Sequence, residues 1–132
     1  RKARRADIPA RWALADLSSP LPLEPESVDA AVCALTLTYL PDPAPLFAQA
    51  ARILRPGGAL VCSDRHPHGL LAARAASAAA FRRDRAPFLR FTDHDGRECR
   101  VPQHPHTLSV LFDAARVAGL VLERIAEPAV DH

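Results

Sequence analysis

Residues 27–64 read SVDAAVCALTLTYLPDPAPLFAQAARILRPGGALVCSD, and this stretch decides the fold. From Val28 to Leu37 it is nearly continuously apolar, broken only by Asp29 and Thr36. That is the pattern of a strand covered on both faces in a parallel sheet. Asp42 is placed to cap the free amides of a helix, and Pro43 suits its first turn. Leu46, Phe47, Ala50, Ile53 and Leu54 then recur at helical spacing until Pro56, Gly57 and Gly58 stop the helix. Ala59–Ser63 reads as a second short strand. Strand, helix and strand in this order imply a right-handed βαβ unit with parallel strands.

Upstream, Pro20, Pro22 and Pro25 exclude a regular helix or ladder and make residues 18–27 a loop. Before that loop, Trp12, Leu14 and Leu17 suggest a strand with Asp16 at its end. Downstream, the alanine-rich stretch Leu70–Arg83 has the composition of a helix. Phe88–Thr92 and Glu98–Val101 flank Asp95-Gly96, whose capacity for positive backbone angles suits a hairpin. A last helix is expected from about Thr107 to Ala118, with Leu108, Leu111, Phe112 and Ala115 on one face and Gly119 ending it. Leu120–Ile125 is a further strand candidate.

At 132 residues and 48% hydrophobic content, the chain is of single-domain size and can furnish a core. A net charge of +2 and the brief Arg1–Arg5 run, followed by Asp7 and a proline, read as the solvated end of a helix rather than a nucleic-acid surface. Cys33, Cys62 and Cys99 are odd in number and far apart, and two sit in apolar runs, which argues for neither a disulfide framework nor a zinc cluster. No apolar run approaches the ~20 residues needed to cross a bilayer, so no membrane partner and a cytoplasmic location are expected. The absence of methionine, including at position 1, suggests a fragment of a longer chain.

The ordered set Ala15-Asp16-Leu17, Leu21-Pro22-Leu23, Ser27-Val28-Asp29, Tyr39-Leu40-Pro41-Asp42 and Arg52-Ile53-Leu54-Arg55-Pro56-Gly57-Gly58 closely resembles class I S-adenosylmethionine-dependent methyltransferases. Within them it looks like the small-molecule "type 11" group. His66-Pro67, Ala118-Gly119-Leu120 and Glu127-Pro128 resemble the tail of these enzymes. The resemblance implies an α/β fold with a partial Rossmann-like sheet, in which residues 1–132 form the C-terminal portion of one domain and residues 69–101 a helix-hairpin lid. The glycine-rich loop of the family has no counterpart in this sequence, which holds no G-x-G.

The cofactor implied is S-adenosylmethionine. By resemblance, Asp16 accepts a hydrogen bond from the adenine amino group, the Leu17 amide contacts the ring, and the backbone at Ala34 and Leu35 passes the methionine part. The residues alone equally allow Asp16 to cap the turn that follows it. Tyr39 occupies a family position facing the reactive methyl, though a tyrosine at a loop start also serves as packing. His66 and His104 flank the expected lid, and histidine is the residue type suited to proton removal near neutrality. They are the candidate bases or substrate contacts for a small-molecule acceptor.

The two His-Pro-His triplets, residues 66–68 and 104–106, raise a metal reading. Nothing in the sequence brings the triplets together, and no metal is expected. A non-catalytic methyltransferase-like interaction module is the alternative to an enzyme, and a nicotinamide-dependent Rossmann enzyme is a distant third because its fingerprint is absent. The acceptor atom and the oligomeric state are not legible.

Overall fold

The computed structural model describes residues 10–66 and 88–127. Strand β1, Val28–Ala34, pairs in parallel with β2, Leu54–Ser63, and helix α1, Ala44–Ile53, makes the crossover. The βαβ unit expected from residues 27–64 is therefore present. A single 3₁₀ turn, Leu37–Tyr39, links β1 to the helix.

Helix α1 starts where the Asp42 carboxylate accepts from the Ala44 amide at 2.9 Å, and the carbonyl of Pro43 accepts from Phe47. Its Leu46, Phe47, Ala50 and Ile53 are buried, which is the stripe the spacing predicts. With Cys33, Leu37 and Leu40 they form the core. The chain passes from α1 into β2 without an intervening loop. Leu54 pairs with Val28 and Ala59 with Ala30, so residues 55–58 bulge out of the ladder. The two glycines have different reasons to be there. Gly57 takes a φ of 79°, open only to glycine at low cost. A Cβ on Gly58 would lie 2.9 Å from the carbonyl oxygens of both Arg55 and Asp29.

Beyond the undescribed segment, β3 (Phe88–Thr92) and β4 (Glu98–Pro102) form the expected antiparallel hairpin. Only Gly96 supplies a positive φ, 80°, and the turn is organised by Asp93, whose Oδ1 accepts from the amides of Asp95 and Arg97, both at 2.9 Å. Helix α2, Leu108–Val117, begins at Thr107, whose hydroxyl accepts from Val110, and ends before Gly119 with a φ of 84°. Its Leu111, Ala114 and Ala115, followed by Ala118, pack against the core, whereas Phe112 lies partly exposed.

Three expectations are corrected. Residues 11–17 and 120–125 are not strands. A strand is defined by its neighbour, and no described strand lies alongside either segment. Trp12 and Leu14 are accordingly exposed, and only Leu17 of that apolar trio packs on the core. Strand β1 is covered on one face only: Cys33 turns under α1, while Val32 on the opposite face is 76% exposed and its ladder partner Val61 55%. The expected helix Leu70–Arg83 and the Arg1–Arg5 run lie outside the described residues.

Candidate functional site

The proline-rich loop is held in place by α1. Arg52 donates through Nη1 to the Leu23 carbonyl at 2.8 Å and through Nη2 to the Leu21 carbonyl at 3.0 Å. Gln49 Oε1 accepts from both the Leu21 amide and Arg52 Nε. The Ser27 and Glu26 amides donate to the carbonyls of Ile53 and Arg52. Proline supplies no amide of its own, so these side chains and the helix end fasten the loop that a backbone ladder cannot.

Fastened in this way, Leu17 and Leu21 line a cavity of about 400 Å³ together with Cys33, Ala34, Thr36 and Leu60. The volume lies within the ordinary range for small-ligand sites, roughly 300–1,000 Å³. Of the expected cofactor residues, Leu17 and Ala34 line this cavity. Asp16 precedes Leu17 as an exposed residue, and its Oδ1 accepts from the Ser18 amide at 2.8 Å. The turn-capping role weighed for Asp16 is therefore present. It occupies part of the carboxylate's acceptor capacity of about four lone-pair sites.

Leu35 leaves β1 with a φ of 52°, in the left-handed region. Such a conformation costs an L-residue roughly 1–2 kcal/mol, and here it is held by the Leu35 amide donating to the Ser63 carbonyl at 2.7 Å. The side chain is left exposed at the carboxyl end of the strand. Strained backbone of this kind clusters at ligand sites.

The 3₁₀ turn beside it is fixed from two directions. Asp64 Oδ2, at the end of β2, accepts from the Thr38 amide at 2.9 Å. The Thr38 carbonyl in turn accepts from the His104 amide at 2.6 Å, and His106 Nε2 donates to the Leu40 carbonyl at 2.8 Å. Tyr39 and the segment bearing His104 are thereby adjacent. Thr38 Oγ1 and Gln103 Nε2 are buried without a partner, in residues only 5% and 6% exposed. His66 lies elsewhere in the network, with Nε2 2.8 Å from Glu127 Oε1. His68 falls outside the described residues, among which no group of three His, Cys, Asp or Glu side chains is placed to hold a metal. Asp64, Gln49 and Arg52 escaped the sequence reading because their partners are distant in sequence.

Residues 1–62 match the family described as "Methyltransferase domain". Over 61 residues the chain is 41% identical to a malonyl-[acyl-carrier protein] O-methyltransferase of Hahella chejuensis (strain KCTC 2396), covering 46% of this chain and 22% of that protein. Its fold is similar to the crystal structure of an S-adenosylmethionine-dependent methyltransferase from Mesorhizobium loti, with a TM-score of 0.63 and 25% identity, covering 93% of this chain and 58% of that one. A Methanosarcina mazei S-adenosylmethionine-dependent methyltransferase structure gives a TM-score of 0.61 at 20% identity, covering 87% and 56%. Residues 1–62 are thus similar to a methyltransferase domain, and the fold is similar to the Rossmann-like fold of S-adenosylmethionine-dependent methyltransferases. The chain spans little more than half the length of these structural relatives and under a quarter of the curated one. Among the described residues, no helix is long and apolar enough to cross a membrane.

Proposed function

We propose that this chain contributes the adenine-side and methionine-side walls of a cofactor site for methyl transfer from S-adenosylmethionine to a small-molecule acceptor. The carrying observation is the strained, exposed backbone at Leu35, at the carboxyl end of β1 and directly after Ala34, which lines the cavity. Ligands of open α/β sheets bind outside such strand ends. Asp16 would accept from the exocyclic amine, a charge-assisted bond, while Leu17 packs on the ring face and the backbone at Ala34 and Leu35 passes the methionine part. The cofactor supplies a methyl group on a sulfonium. Transfer is an in-line displacement, so the protein acts chiefly by positioning, with a base needed only for acceptors that must lose a proton. His104 and Tyr39, adjacent through the Thr38 turn, are the residues best placed for that work.

In the same reading, residues 69–101 cover the acceptor and set its identity. In support, the β3–β4 hairpin leads straight into residues 103–106, which dock on the turn carrying Tyr39. The name of the Hahella chejuensis relative favours a second reading, in which the acceptor is an acyl group on a carrier protein. Segment exchange tests the lid. Residues 69–101 are swapped between this protein and a methyltransferase of known acceptor; transfer of preference with cofactor affinity unchanged is expected, and retained preference in a folded chimaera would reduce the segment to packing.

The cofactor reading is tested by calorimetric titration of S-adenosylmethionine into a fusion in which a glycine-rich first strand from a related methyltransferase precedes Arg1. Low-micromolar binding, about 8 kcal/mol, is expected for the fusion and much weaker binding for the 132 residues alone. A folded fusion without binding would contradict it.

A further inference from the structure

Cys33 and Cys62 are ladder partners on β1 and β2. Partners in a parallel pair share a face, and neighbouring strands lie about 4.8 Å apart. That separation lies within the roughly 4.4–6.8 Å between Cα atoms that a disulfide bridges. The register sets the two side chains beside each other on one face, and each thiol is the largest influence on the other's ionisation. Cys62 is exposed, whereas Cys33 is buried but lines the cavity between Leu17 and Ala34. A water-sized oxidant therefore has a route to one sulfur, and a second sulfur stands beside it.

We propose that Cys33 and Cys62 are a reversible dithiol–disulfide pair, oxidised by a small peroxide and able to clip β1 to β2 at the strand ends that carry Ala34 and Leu35. The neighbouring Cys62 side chain is the main influence favouring the Cys33 thiolate, lowering its pKa to about 7 against the opposing effect of burial; Thr36 assists and the Asp64 charge opposes. Cys33 is the main influence that pushes Cys62 up and keeps it a thiol. The chemistry balances in two steps. The Cys33 thiolate attacks one oxygen of hydrogen peroxide, breaking the O–O bond to give the sulfenic acid and hydroxide, so two electrons pass from sulfur to oxygen. The Cys62 sulfur then attacks the Cys33 sulfur; the S–O bond breaks, the S–S bond forms, and the hydroxyl leaves with the Cys62 proton as water. A dithiol reductant reverses the step by thiol–disulfide exchange.

Peptide mapping of the 132-residue chain tests this directly. After brief exposure to hydrogen peroxide and alkylation of the remaining thiols, a Cys33–Cys62 linked peptide is expected, with Cys99 alkylated and the link lost on treatment with dithiothreitol. Alkylation of both Cys33 and Cys62, or a link involving Cys99, would overturn the proposal. In Cys62→Ser the resolving thiol is gone, and dimedone should label Cys33 as the trapped sulfenic acid. A folded variant with no label at Cys33 would overturn the order of the steps and with it the pair.

Discussion

The Asp64 carboxylate, at the end of β2, accepts a hydrogen bond from the Thr38 amide 2.9 Å away and so ties the turn after β1 to the neighbouring strand. The turn carries Tyr39 and receives the His104 amide on the carbonyl of Thr38. One carboxylate thus sets the spacing of three segments at the carboxyl edge of the sheet. Asp64→Ala removes the acceptor from a partly buried amide, and hydrogen bonds to charged groups are worth about 1.5–3 kcal/mol. A loss of about 1.5 kcal/mol is expected, because Asp64 is only half-buried. Urea unfolding checks it; a change below about 0.5 kcal/mol, the size of an ordinary surface substitution, would show that the turn is held without Asp64.

Gly57 and Gly58 separate two backbone constraints. Gly57→Ala meets open space and only the positive φ resists it, so a cost of about 1 kcal/mol is expected. Gly58→Ala drives a methyl between two carbonyl oxygens, neither of them on a flexible tip. A larger cost, about 2–3 kcal/mol, follows from overpacking. Thermal or denaturant unfolding of the two variants side by side gives the ranking, and the reverse order would mean that the bulge at residues 55–58 rearranges freely.

Much of this architecture is readable from residues 27–64. The apolar run, the Asp42-Pro43 start, the helical stripe and the Pro-Gly-Gly exit are local signals, and local signals suffice for a βαβ unit. Gly96 and Gly119 likewise sit where the pattern puts them. Trp12, Leu14 and residues 120–125 mislead, because apolar alternation marks a segment able to pair but cannot supply the neighbour that makes it a strand. The site is legible in the same uneven way. Leu17 and Ala34 both line the cavity. Arg52, Gln49 and Asp64 act across some 26–31 residues of sequence, a separation that no spacing rule reaches.

The thiol pair has a pH signature. The Cys33 pKa is lowered to about 7, chiefly by the neighbouring Cys62 side chain. The reactive thiolate therefore accumulates as pH rises through about 7, below the ordinary thiol value of about 8.5. The rate of iodoacetamide modification at Cys33, followed by mass spectrometry between pH 5 and 10, should show that midpoint. Cys62→Ala deletes the largest lowering influence and leaves burial and the Asp64 charge opposed only by Thr36, so the midpoint should move upward. A wild-type midpoint at or above the ordinary value would contradict the contact.

The central claim is that Asp16, Leu17, Ala34 and Leu35 form the adenine and methionine side of a cofactor site, and Asp16→Ala probes it at the residue with a competing role. Asp16 also caps its own turn through Oδ1, an exposed bond to the Ser18 amide, so the variant should remain folded. In the fusion carrying a glycine-rich first strand, calorimetric titration with S-adenosylmethionine should show binding weakened by about 1.5–3 kcal/mol, the range for a hydrogen bond to a charged group. An unchanged dissociation constant in a folded Asp16→Ala fusion would contradict the account and leave Asp16 as a turn cap alone.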